Sequence, residues 1–207
     1  MNEQGVLLYN VPYPERLSRL LIFVKWLLAI PHYIVLYVLY LALSVTSFIA
    51  WFAILFTGRY PRGLWDFAMM VYRWNANVTA YVALLRDEYP PFGGNDGDYP
   101  VLYQMEYPER FSRLLIFVKW LLVIPHLIVL YVLGLVAGVV WIIAWFAILI
   151  TGNIPRGMFD FLVGVLRWSN RVTAYAWLLT DVYPPFSLGP TPAPPNAYAP
   201  YQPAYPA

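Results

Sequence analysis

Residues 32–57 read HYIVLYVLYLALSVTSFIAWFAILFT, and residues 126–151 read HLIVLYVLGLVAGVVWIIAWFAILIT. Neither run, from His32 to Thr57 or from His126 to Thr151, contains a charged side chain. At a rise of ~1.5 Å per residue each forms a helix of roughly 39 Å, enough to cross a ~30 Å hydrocarbon core with some tilt. Gly58 and Gly152 follow directly as helix C-caps, and Pro61 and Pro155 finish the turns.

Both runs belong to a longer repeat at a constant offset of 94 positions. Tyr13-Pro14-Glu15-Arg16 returns as Tyr107-Pro108-Glu109-Arg110, and the copies continue without a gap to Phe92 and Phe186 with about two thirds of positions identical. A tandem duplication of one unit follows. The organisation is a first membrane repeat at 6–92, a Gly/Asp turn linker at 93–99, a second membrane repeat at 100–186 and a Pro/Tyr/Ala-rich tail at 187–207. The tail composition buries no core and predicts disorder with polyproline-II character.

Composition points to a membrane. Hydrophobic residues make up 61% of the chain and charged residues only 12%, against about 25% charged in a soluble domain. A net charge of +2 is too small to argue for nucleic acid. Nine Trp and 18 Tyr suit a protein with much surface at the membrane–water boundary. The absence of cysteine excludes disulfides, thiolate metal sites and Cys nucleophiles. Glu3, Glu15, Arg16 and Arg19 leave no short apolar signal-peptide core in the first residues, so the first apolar segment is expected to direct insertion.

Each unit opens on an extended stretch, Val6 to Val11 and Pro100 to Met105, confined by Pro12, Pro14, Pro100 and Pro108 to strand or edge conformations. Two equivalent strands in two copies are candidates to pair with each other. The pattern then predicts a helix from Glu15 to Ile30, repeated from Glu109 to Ile124. With Ser18, Arg19 and Lys25 on one stripe, it either lies in the head-group plane or starts a spanning helix. Pro31 and Pro125 are expected to break or kink the path. A third segment, Arg62 to Leu85 and Arg156 to Leu179, carries a sparse polar stripe. It crosses with that stripe turned inward or lies at the interface, because a charge at the bilayer centre costs about 2.5 kcal/mol or more.

The fold class expected is an all-α membrane protein: duplicated helical units with transmembrane helices, interfacial amphipathic helices and short extended segments before each unit. Basic residues gather at the start of each unit, so the positive-inside rule favours two crossings per unit, parallel units and both termini in the cytoplasm. That favours a four-span, multi-pass protein of a prokaryotic cytoplasmic membrane; the alternative is one crossing per unit, with the units inverted and the basic clusters facing opposite compartments.

The ordered motifs YPER, KWLL, IPH, WFAIL, TG, PRG, RW, VTAY and YPPF, present in both copies, resemble the prokaryotic membrane family designated domain of unknown function 4389. The resemblance covers almost all of 6–92 and 100–186. It implies a membrane protein of unassigned role and leaves the tail outside.

Candidate functional residues fall into a few groups. Arg19, Lys25, Arg113 and Lys119 are candidate contacts for lipid head groups, or simply snorkelling cations. Arg62, Asp66 and Arg73, with Arg156, Asp160 and Arg167, form a candidate polar stripe, for a polar path or for structural ion pairs. Gly134 and Gly138 form a GxxxG helix-packing motif, with Tyr40 as its candidate complement and Tyr40 and Ser44 at the equivalent first-copy positions. His32 and His126, the only histidines, are either a metal- or proton-handling pair or polar groups at helix starts. Asn95-Asp96-Gly97-Asp98 lacks the closing Glu of a calcium loop and reads as a turn.

No catalytic constellation, metal site or cofactor motif is expected. The leading functional expectation is a non-enzymatic structural, accessory or lipid-organising protein, a fused pseudo-dimer whose partners are membrane lipids. Pro192-x-x-Pro195 in the tail offers a dock for a protein with an aromatic groove. The alternative is a small transporter or channel with a polar site at the repeat interface.

Overall fold

The computed structural model describes residues 5–190; the proposed tail-docking motif lies outside them. In chain order the elements are β1 (Leu8–Asn10), a 3-10 turn (Leu21–Phe23), α1 (Lys25–Leu28), α2 (Ile30–Thr57), α3 (Arg62–Val82), β2 (Leu102–Gln104), α4 (Leu115–Thr151) and α5 (Arg156–Ala176). Each repeat is thus a strand followed by a long helix and a shorter one.

The charge-free runs become α2 and α4, ended by Gly58 and Gly152 in the left-handed conformation (φ 68° and 76°). Glycine adopts that conformation without the steric penalty of a Cβ, which is why it closes both helices. These two helices are long and apolar enough to cross a membrane, and only 22% and 6% of their most apolar windows are buried. Such exposure is unlike a soluble core helix, whose apolar face is covered by protein. Of the four spans expected, only two helices qualify as candidates by length and composition among the described residues, since α3 and α5 do not. Both are instead largely enclosed by the rest of the chain.

The helix expected over Glu15 to Ile30 is not formed as one piece. Residues 13–18 are occupied elsewhere: the Leu17 N–H donates to the Gly152 carbonyl (2.8 Å) and the Ser18 N–H to the Asp87 carboxylate. Helix starts only at Lys25, and the single basic stripe of Ser18, Arg19 and Lys25 is lost. Pro31 falls in the first turn of α2, where its missing N–H would have had no intrahelical partner anyway. Pro125 lies inside α4 and does not end it.

The repeats meet about a pseudo-twofold axis. β1 and β2 pair antiparallel with Tyr9 opposite Tyr103, which are equivalent residues, so the axis passes through that pair. Several junction contacts then occur twice with roles exchanged, as in an isologous interface. The Phe111 N–H donates to the Gly58 carbonyl (2.9 Å) as Leu17 does to Gly152. The Tyr13 hydroxyl donates to the Ile154 carbonyl and that of Tyr107 to Tyr60. Phe23 packs edge-on against Trp145 and Phe117 against Trp51.

These contacts set the helix directions. The end of α4 meets the chain that leads into α2, and the end of α2 meets the chain that leads into α4. The two long helices therefore run antiparallel. The corresponding helices of the two units, expected to run parallel, are antiparallel, because the chain ends are exchanged between repeats.

Candidate functional site

The residues proposed for lipid contact separate into two kinds. Lys25 is 1% exposed, donates to the Arg86 carbonyl (2.6 Å), pairs with Asp87 (2.7 Å) and sits over the Tyr81 ring. Lys119 repeats this with Thr180 (2.6 Å), Asp181 (2.7 Å) and Tyr175. Burial lowers the pKa of Lys25 and Asp87 opposes that shift. Neither lysine reaches lipid; each staples the start of its long helix to the chain after α3 or α5.

Arg19 and Arg113 are exposed and lie against the left-handed glycines of the other repeat, Arg113 on Gly58 and Arg19 with Arg16 on Gly152. At the first of these ends, Arg59, Arg110 and Arg113 line an open recess of about 330 Å³ with Thr57, Gly58 and Phe111 and no acidic side chain. Arg16, Arg59 and Arg110 enter the basic bias of the sequence but not its candidate site residues. Their grouping depends on the exchange of ends between repeats, which no local pattern encodes.

The polar stripe divides in the same manner. Arg62 and Asp66 (2.9 Å) and Arg156 and Asp160 (3.4 Å) are exposed pairs, with each arginine stacked over the tyrosine of the opposite YPER motif, Tyr107 or Tyr13. Arg73 and Arg167 turn inward. Arg73 donates to the Tyr103 carbonyl (3.0 Å) and the Gly94 carbonyl (2.8 Å). Arg167 donates to Tyr9 (2.9 Å) and Leu188 (2.7 Å) carbonyls and to Asn10 Oδ1 (3.0 Å). They thus hold the central strand pair by its backbone from both sides. Burial raises the Tyr9, Tyr72 and Tyr103 phenols above their usual pKa, so these hydroxyls stay protonated beside the two guanidinium groups.

His32 and His126 are not brought together. Each is fully buried in a cage within its own repeat. The Trp74 indole donates to His32 Nδ1 (3.0 Å), Phe92 stacks on the ring (4.2 Å) and Tyr89 leans against it. Trp168, Phe186 and Tyr183 repeat the cage around His126. The accepted hydrogen bond leaves the ring proton on Nε2. The recurrent IPH, RW and YPPF motifs are thereby explained as one packing unit. Among the described residues no group of His, Cys, Asp and Glu is arranged to hold a metal ion.

Gly134 and Gly138 lie on the open side of α4, and a Cβ at either would meet nothing within 4 Å. Tyr40 packs on Tyr72 rather than over Gly134. The expected Tyr40–Gly134 complement is not formed, because the Tyr40 ring is taken up by Tyr72 of its own repeat.

The architecture is that of a duplicated helical protein with two apolar helices turned outward. The profile of the domain of unknown function DUF4389 matches residues 19–93 and 113–187, and the chain belongs to that family in two tandem copies. No curated protein and no solved structure matches it.

Proposed function

We propose that this protein is a non-enzymatic membrane scaffold, structural, accessory or lipid-organising in role, seated in a prokaryotic cytoplasmic membrane. The observation that carries the reading is the division of its surface. Apolar side chains cover the outer sides of α2 and α4, and exposed arginines gather where those helices end. An apolar surface of this extent on a lone chain marks an interaction surface, and arginines at its rim suit anionic head groups.

The polar residues that transport would need are otherwise engaged. Arg73 and Arg167 are committed to strand carbonyls, which favours the scaffold over a polar path between the repeats. We place the polar side in the cytoplasm from the basic excess.

Vesicle binding tests the reading. Replacing Arg16, Arg19, Arg59, Arg110 and Arg113 with Gln should weaken attachment to phosphatidylglycerol vesicles by about 1 kcal/mol per residue and leave attachment to phosphatidylcholine unchanged. Turnover of a lipid or nucleotide substrate that depends on Asp66 and Asp160 would contradict it. If deletion of 191–207 alters no co-purifying protein, the tail is not a docking segment.

A further inference from the structure

We infer that the protein occupies a single leaflet, with α2 and α4 lying in the membrane plane and the pseudo-twofold axis along the membrane normal. This rests on the membrane reading above and names the surface that lipid covers.

The argument begins with direction. A twofold axis that relates antiparallel helices is perpendicular to them. If α2 and α4 crossed the bilayer, the axis would lie in the membrane plane at the bilayer midplane. The Tyr9–Tyr103 pair sits on that axis and would sit at the midplane too.

The surroundings of that pair are polar. The Tyr9 and Tyr103 rings are buried on the inner side, while Asn10 is exposed on the outer side. Gln104, one residue from the axis, donates to the Asp96 carboxylate (2.9 Å), whose side chain is 56% exposed; Asn95 and Asp98 are exposed beside it. From strand dimensions, Asp96 lies within roughly 12 Å of the axis, inside the ~15 Å half-thickness of the hydrocarbon. A spanning orientation would hold exposed carboxylates and irregular backbone there, which lipid-facing protein does not tolerate.

Turning the molecule flat removes the conflict. Among the described residues, α3, α5 and both strands contribute no large exposed apolar side chain. Those of the long helices, such as Ile34, Val38, Leu41, Val45, Phe48 and Phe52, face outward, whereas the stripe Leu36, Leu43, Ala50 and Ile54 faces the protein. One side is therefore apolar, and the other holds the strands and the linker. With the axis along the normal, the two arginine clusters lie at equal depth and meet the head groups of one leaflet. A spanning orientation would place them on opposite faces, against the usual bias of basic residues to one side.

The cysteine-free chain allows a direct test in sealed phosphatidylethanolamine/phosphatidylglycerol vesicles. Single cysteines at Arg59, Asn95 and Asn153 should all react with an impermeant thiol reagent from the same side. Spin labels at 34, 38, 41, 45, 48 and 52 should report a depth that varies only with the helical period. Labelling of Arg59→Cys and Asn153→Cys from opposite sides, or a depth profile that peaks near Leu41, would overturn the in-plane arrangement while leaving membrane residence intact. A chain washed off vesicles by alkali, or one whose α2 labels are shielded by a second copy in solution, would overturn the membrane reading and this inference together.

Discussion

The two repeats bring a loop against the back of a helix with the glycine on opposite partners. In the first, Gly94 lies so close to α3 that a Cβ would come within 2.0 Å of the Met70 carbonyl oxygen. In the second, the equivalent loop residue is Leu188 and the equivalent helix residue is Gly164, where a Cβ would meet the Leu188 Cβ at 2.9 Å. Because the obstacle at Gly94 is helix backbone, which Gly164 also carries, the second loop must approach its helix differently to admit the Leu188 Cβ. Duplication has preserved the architecture while the glycine lies on the loop in one repeat and on the helix in the other.

Other differences have no such partner. Asn77 is buried, and its counterpart Arg171 donates to the Gly189 carbonyl (2.9 Å), anchoring the chain that leads to the tail. Burial, and Arg167 beside it, lower the Arg171 pKa to about 10. Tyr40 fills the space beside Tyr72, whereas Gly134 leaves its side of α4 open. The second repeat is thus the one with an uncovered helix groove and a tethered exit chain.

The strongest challenge to the equivalence of the copies lies at the strand-holding arginines. Arg167→Ala removes at least three donated bonds and should cost about 4 kcal/mol, and Arg73→Ala, with two and a longer ion pair to Asp96 (3.9 Å), about 3 kcal/mol, since each bond to a charged donor contributes ~1.5–3 kcal/mol and the losses do not add fully. Chemical unfolding in detergent reads both. Negligible losses would mean that the strand pair is not held in this way.

Gly94→Ala should destabilise by about 2–3 kcal/mol, because the obstacle is helix backbone. Gly164→Ala should cost less, about 1–2 kcal/mol: the Leu188 Cβ and carbonyl oxygen, at 2.9 and 3.1 Å from the added Cβ, move only with the loop backbone, an overpacking cost that alanine's ~1 kcal/mol helix preference offsets in part. The same unfolding curves decide whether this asymmetry is real.

Trp74→Phe and Trp168→Phe should each cost about 1 kcal/mol, the net worth of one hydrogen bond to a buried ring, and equally so in both copies. Asp66→Asn and Asp160→Asn should stay within ~0.5 kcal/mol, because exposed ion pairs contribute little. A large loss at either aspartate would point to a role beyond the surface pair.

Much of this was readable in the residues. The charge-free runs, the capping glycines and the constant offset already define two equal units with one long apolar helix each. The pairing of equivalent strands was also accessible, since Pro12 and Pro100 confine both to extended backbone. What escaped was long-range. Lys25 looks like a head-group contact until Asp87, 62 positions on, is seen to bury it. Arg59 belongs to the arginine rim only because the end of α2 meets the second repeat at Phe111. The basic bias suggested parallel units because it counts charges along each copy and carries no information on exchanged ends.

The central claim, that the two long helices run antiparallel because the repeats exchange their ends, is tested most directly by one distance. Spin labels at Arg59 and Asn153 mark the ends of α2 and α4. With the helices antiparallel, they should lie roughly 45–55 Å apart, the length of a 37-residue helix at ~1.5 Å per residue with allowance for a bend at its proline. A separation below about 25 Å would place both helix ends together, as in parallel units, and would contradict the account.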